Sequence, residues 1–97
     1  MKEAREFFAI GEYAKAVEAC ENAIDAKEYD AGWRLLMLRA RLATGQFAEA
    51  KKFSETLLQD YRYRYNAEAL WRFHLVFEAN GEIEQSKQML QIITQFL

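Results

Sequence analysis

The chain has 97 residues, 52% of them hydrophobic and 29% charged, which predicts one folded domain and argues against a disordered segment. The formal net charge of −2 disfavours broad nucleic-acid binding, which requires a basic surface, and the single cysteine, Cys20, excludes an internal disulfide. No apolar run approaches the length of a membrane span and no signal-peptide core follows Met1, so no membrane partner is expected and a cytoplasmic location is the default expectation.

Apolar residues recur at intervals of three and four along most of the chain, which is the period of an α-helix. Asp30 and Asn66 are predicted to cap the third and fifth helices, because their side chains can accept hydrogen bonds from first-turn N–H groups. Gly11, Gly45 and Gly81 each separate two helical patterns and are predicted to adopt the left-handed conformation that closes a helix. In chain order, the pattern predicts six helices at about residues 2–10, 12–27, 31–44, 46–60, 66–80 and 82–96.

The glycine turns belong to an internal repeat. The residues GEYAKA at 11–16 match GQFAEA at 45–50 and, more weakly, GEIEQS at 81–86. The three glycines are 34 and 36 residues apart, and a helix pair repeated at about 34 residues is typical of tetratricopeptide repeats. The whole chain therefore resembles the tetratricopeptide repeat family.

This resemblance implies an all-α fold, a right-handed α-α superhelix of about six antiparallel helices in three helix-turn-helix pairs. The expected organisation is a single domain, 1–97, with repeats at about 1–30, 31–64 and 65–97. The abrupt ends of the chain also suit a fragment of a larger protein.

The second helix of each pair matches the family most closely. Each of these helices is expected to have a small residue where it lies close to a neighbouring helix. A second inward position follows one turn later, and a third follows after that. These inward positions are, in the same order, Ala16, Cys20 and Ala23, then Ala50, Ser54 and Leu57, then Ser86, Leu90 and Ile93.

The third helix departs from the family pattern. Strict register places Arg34 and Arg41 at positions that are aromatic in the family. A shift by one residue restores a helical apolar stripe, so a rotation of this helix is expected. The inward side chains would then be Trp33, Leu36, Met37 and Ala40.

In the family, the first helices of the repeats line a concave groove that binds a partner peptide or helix, so the resemblance implies a protein-protein interaction scaffold without enzymatic activity or a cofactor. Arginine and tryptophan are common among dominant interface residues, which makes the groove arginines candidates for an acidic ligand. A C-terminal carboxylate clamp, known in one subclass, is not expected, because Leu36 and Glu68 stand where that clamp has polar or basic groups. Carried over by position, the partner-binding residues are Arg5, Phe8, Leu35, Arg39, Leu42, Trp71, Arg72 and Leu75, with Glu68 and Glu78 beside them.

The last predicted helix carries a second apolar stripe, formed by Met89, Ile92 and Phe96, on a face separate from its inward stripe. Terminal helices of repeat proteins need a polar outer face to stay soluble. The alternative function is therefore a homo-oligomerisation module that self-associates through this stripe. A missing following helix or a covering partner would also explain it.

Three other features have structural explanations. His74, the single histidine, lies on a packing stripe without a second ligand at metal spacing, so a core role is expected rather than a catalytic one. Cys20 lies on an inward stripe and is expected to be a small core residue. The alternating tyrosines and arginines at 61–65 resemble a nucleic-acid contact, but the acidic net charge favours a linker whose tyrosines pack on the repeats.

Overall fold

The computed structural model describes residues 1–96, except for the side chain of Phe96, and this part of the chain contains seven α-helices and no strand. The all-α class is confirmed for it, and each of the six predicted helices contains one of the observed helices. The remaining helix, α5, is a single turn. The helices are α1 (Lys2–Ala9), α2 (Tyr13–Asp25), α3 (Trp33–Ala43), α4 (Phe47–Leu57), α5 (Tyr61–Arg64), α6 (Ala67–Ala79) and α7 (Ile83–Phe96).

The chain divides into two compact units. The first unit, Met1–Gln46, contains α1 to α3, and α2 packs against both of its neighbours. The second unit begins at Phe47, and in it α6 packs against α4, α5 and α7. Neighbouring helices therefore pack against each other inside each unit, as predicted for helical repeats.

The predicted left-handed glycines are confirmed, with φ of 81°, 77° and 74° at Gly11, Gly45 and Gly81. After α1, the N–H of Glu12 donates to the carbonyl of Phe7 at 2.9 Å, and the N–H of Gly11 donates to that of Phe8 at 3.1 Å. This pair of bonds is a Schellman motif, which satisfies carbonyls at the end of a helix. The same pair of bonds follows α3 and α6.

The helix α2 ends in the same way without a glycine. Lys27 has φ of 59°, and the N–H of Glu28 donates to the carbonyl of Ala23 at 2.7 Å. The sequence carried no sign of this turn, because a lysine seldom adopts positive φ.

Of the two predicted N-caps, one is confirmed and one is wrong. The side chain of Asn66 accepts a hydrogen bond from the N–H of Ala69 at 3.0 Å and caps α6. Asp30 does not cap α3, which begins at Trp33 after Gly32. Its carboxylate instead accepts from the N–H of Gly32 and from the guanidinium of Arg5, so the aspartate holds the loop before α3 onto α1.

The inward positions of the second helices are largely as expected. The small residues Ala16, Ala50 and Ser86 are all buried. In α2 and α4 the next two inward positions are buried as well, whereas Leu90 and Ile93 of α7 are partly exposed.

The expected rotation of α3 is confirmed. Leu36, Met37 and Ala40 are buried, and so is Leu38, which the stripe did not include, whereas Trp33 is partly exposed. Both arginines that strict register would turn inward remain partly exposed. Arg41 forms an ion pair with Glu21, and Arg34 lies over the ring of Trp33.

The tyrosine and arginine linker at 61–65 is more ordered than expected, because it forms α5. Asp60 caps this turn and pairs with Arg62, and the ring of Tyr63 is buried. The guanidinium of Arg64 donates to the carbonyls of Leu58 and Gln59, which follow α4. Both arginines thus serve the protein's own backbone and side chains, which supports the structural explanation.

Candidate partner-binding surface

The candidate residues of the first unit lie on α1 and α3, and the arginines among them have partners within the unit. Arg5 donates to Asp30 at 2.6 Å through Nη2 and at 3.1 Å through Nε. This bidentate bond lowers the pKa of the Asp30 carboxyl. The guanidinium of Arg39 lies 4.6 Å from the ring centroid of Phe8, a cation–π contact that joins α3 to α1.

The side chains around this contact extend the same face. The ring of Phe8 also meets that of Tyr13 edge to face, with centroids 5.1 Å apart. Leu35 and Leu42 lie one turn before and almost one turn after Arg39 on α3, and both are partly exposed. The structure therefore brings Phe8 and Arg39 together, in a surface where Arg5 has an ion pair and Arg39 has an aromatic ring as its partner.

The candidate residues of the second unit lie on one helix, α6. Unlike the arginines of the first unit, the arginine among them has no partner among the described residues. Trp71 is 45% exposed although the helix around it is largely buried. Leu75 lies one turn later on the same face and is partly exposed. We call Trp71, Arg72 and Leu75 the α6 face.

Arg72 stands apart from the other arginines of the described part of the chain, each of which has an ion pair, a carbonyl or an aromatic ring as partner. Its Nε is buried and has no hydrogen-bond partner among the described residues. Glu68 lies four residues earlier, at the spacing of a helical ion pair, yet no such pair forms. From the sequence, Arg72 was indistinguishable from Arg5 and Arg39, because only tertiary contacts determine which guanidinium is paired.

A buried polar link supports the α6 face from behind. Nδ1 of His74 lies 2.6 Å from the hydroxyl oxygen of Ser86 and 3.1 Å from its carbonyl oxygen, which joins α6 to α7. The imidazole also lies under the indole of Trp71, with centroids 5.1 Å apart. His74 and Ser86 are both buried, so the contact has the geometry of a packed core link rather than of an accessible nucleophile and base.

One further predicted core feature, Cys20, agrees with the structure. Cys20 is fully buried, and burial raises the pKa of its thiol, which disfavours the reactive thiolate.

In residues 1–96, no three histidine, cysteine or carboxylate side chains are grouped as a metal site requires. None of the helices described combines the length and the apolar character that crossing a membrane demands.

The predicted oligomer stripe on α7 requires a correction. Met89 is only 6% exposed and lies with Phe77 and Leu58 at a cleft beside α4, so it is not part of an outer face. The side chain of Ile92 is partly exposed, and that of Phe96 lies outside the described residues. The error arose because the 3.6-residue period separates two faces of a helix without telling which of them meets a neighbour. Self-association through Ile92 stays a prediction.

The family comparison agrees with the repeat pattern. A family model described as Tetratricopeptide repeat matches residues 7–67, more than half of the chain. The match extends from α1 to the first residue of α6 and includes two of the glycine turns. Comparison with curated proteins and with solved structures gave no match.

Proposed function

The chain belongs to the tetratricopeptide repeat family, and on that premise we propose that it is a protein-interaction module whose α6 face binds a protein partner. Tetratricopeptide repeats generally mediate protein-protein interactions, and the family is one of non-enzymatic scaffolds. The role of this chain is accordingly to hold a partner rather than to convert a substrate.

The observation that carries the proposal is the pairing of an exposed tryptophan with an uncompensated arginine on a rigid helix. Trp71 and Arg72 belong to residue types that are enriched among those contributing most to binding energy at interfaces. Their helix is held by buried neighbours, since Leu70, Phe73 and Val76 are all fully buried. A pre-organised helix loses little conformational entropy when a partner binds, which favours affinity.

The first unit contributes less under this proposal. Its candidates Arg5 and Arg39 already interact with Asp30 and Phe8, so a partner would have to replace contacts that exist. We propose that the main binding energy comes from the α6 face rather than from Arg5, Phe8, Leu35, Arg39 and Leu42.

Partner capture from an extract of the native host tests the proposal. Trp71→Ala is expected to reduce the recovery of bound protein at least about tenfold, because truncating a central aromatic removes on the order of 2 kcal/mol of binding energy. Tyr61→Ala is the matched control, since Tyr61 is a 77% exposed aromatic of the same unit outside the α6 face, and it should leave recovery unchanged.

Circular dichroism must first show that both variants keep the helical content and the melting behaviour of the parent chain. Equal recovery with Trp71→Ala and Tyr61→Ala contradicts the proposed α6 face. Loss of recovery with Tyr61→Ala alone would move the interaction to the neighbourhood of α5.

A further inference from the structure

We infer that Arg72 is a recognition site for an acidic side chain of the partner, seated beside an apolar side chain that packs on Trp71 and Leu75. This inference rests on the proposed function and names the chemistry of the partner at the α6 face. The observation behind it is that the guanidinium of Arg72 lacks a partner among the described residues.

The guanidinium of Arg72 is poorly compensated in the free protein. Its Nε is shielded from water and makes no hydrogen bond, and no acidic side chain in the described part of the chain forms an ion pair with it. A charge that has lost part of its hydration attracts an opposite charge more strongly than an exposed one does. The site is therefore prepared for an anion that the protein itself does not supply.

The chemistry of the group selects a carboxylate. A guanidinium presents donors in a planar fork that matches the two oxygens of a carboxylate, and such charge-assisted bonds are about twice as strong as neutral ones. Trp71 and Leu75 lie beside it on α6 and offer apolar area to the residue next to that carboxylate. The occupant we propose is an acidic residue with apolar neighbours.

The surrounding charges limit how acidic this partner is. Glu68 lies one helical turn before Arg72, about 6 Å along the axis, and is exposed. It would repel a second acidic residue and favour a basic one. In an extended chain, a rise of about 3.3 Å per residue places that basic residue two positions from the acidic one.

Capped peptides provide the test. The probe is acetyl-Ala-Lys-Leu-Glu-Leu-Ala-amide, and its control is the same peptide with Gln in place of Glu. Neither has a free terminus, so a terminal carboxylate cannot contribute. Binding is followed by the shift of the Trp71 indole N–H signal in ¹H–¹⁵N spectra, with the indole of Trp33 as an internal reference.

The Glu peptide is expected to bind about tenfold more tightly than the Gln peptide, the preference of one charge-assisted pair. General attraction to a protein of net charge −2 would produce the opposite order, because the Gln peptide is the more positive of the two. Equal affinities, tighter binding of the Gln peptide, or no shift of Trp71 with the Glu peptide would overturn the inference.

Variants of individual arginines test whether Arg72 produces the preference for the Glu peptide over the Gln peptide. Arg72→Met should reduce the ratio to within about twofold, whereas Arg62→Met, at an arginine of α5 outside the α6 face, should leave it near tenfold. Should Arg72→Met fail to fold, Arg72→Lys serves, since it keeps the charge but not the fork and should reduce the ratio to about threefold. A ratio that Arg72 variants leave unchanged contradicts the inference, even where Trp71→Ala still abolishes partner capture and the proposed function stands.

Discussion

Arg39 in the first unit and Arg72 in the second occupy comparable places, each on a helix that precedes a glycine turn. Their surroundings differ. Arg39 lies over the ring of Phe8, and nearby Arg5 is bonded to Asp30. Arg72 has no partner among the described residues, and Trp71 beside it is 45% exposed.

Under the proposed function, the difference separates residues that stabilise the fold from residues that remain available to a partner. An ion pair inside the unit contributes to folding, but it also occupies hydrogen-bond donors that a partner would need, and a cation–π contact holds one face of the guanidinium against a ring. An uncompensated arginine costs folding free energy and keeps its bonding capacity for a ligand, which is the trade-off expected at functional sites. Four predictions follow from this contrast.

The largest effect concerns the cores behind the two faces. Leu38 of α3 and Phe73 of α6 are both fully buried, so Leu38→Ala and Phe73→Ala should lower the free energy of unfolding by about 2–5 and about 3–5 kcal/mol. Denaturant titration followed by circular dichroism measures both. Similar losses of unfolding free energy in the two variants would mean that the units differ at their surfaces and not in their cores. A loss below about 1 kcal/mol for Phe73→Ala would mean that the α6 face has no rigid support.

The next effect contrasts the arginines directly. Arg39→Met should lower the free energy of unfolding by about 0.5–1 kcal/mol, because the contact with Phe8 is lost. Arg72→Met should raise it by about 1 kcal/mol, because a buried donor without a partner is removed while the apolar stem is retained. Thermal and urea unfolding at pH 7 measure both changes. If the two variants change the free energy of unfolding in the same direction, the contrast between Arg39 and Arg72 is wrong.

A third prediction concerns the helix ends, where the residue with positive φ is Lys27 after α2 but a glycine after α1, α3 and α6. Lys27→Gly should raise stability by about 0.5–1 kcal/mol, since glycine adopts positive φ without a steric cost. Gly81→Ala, at the corresponding turn position in the second unit, should lower stability by about 1 kcal/mol for the same reason. The space around the Cβ of residue 81 is open, so a loss there reports backbone conformation alone. Stabilisation by Gly81→Ala would contradict this account.

The smallest effect is the response of the first unit to acid. The bond from Arg5 lowers the pKa of Asp30, so its stabilising contribution is complete above the unfolded pKa of about 3.9 and is lost as the pH falls through the lower folded pKa. Asp30→Asn should therefore be slightly less stable than the parent chain at pH 7, and the difference should shrink as the pH falls through the folded pKa of Asp30. Both groups are about half exposed, which keeps the difference small. A difference that persists unchanged into acid would show that the ion pair contributes nothing.

The helices, their order and the glycine turns could be predicted from the sequence, because they depend on local periodicity and on conformations that glycine alone adopts easily. Asn66 was predictable as a cap for the same reason, whereas Asp30 was not, since a distant arginine competes for its carboxylate. The rotation of α3 was also foreseen, because its apolar residues form a helical stripe only when the register shifts. Met89 was misplaced, because burial depends on the neighbouring helices.

The sequence by itself therefore determined an all-α repeat protein and predicted binding residues on its first helices. The match of the family to residues 7–67 agrees with the repeat architecture. The tertiary structure alone decided which of those residues are engaged. Arg5 and Asp30 are 25 residues apart and Phe8 and Arg39 are 31 apart, so their contacts exist only once the helices pack. A guanidinium is the same group in every sequence context, and its capacity to bind a partner is set by what the fold places, or does not place, beside it.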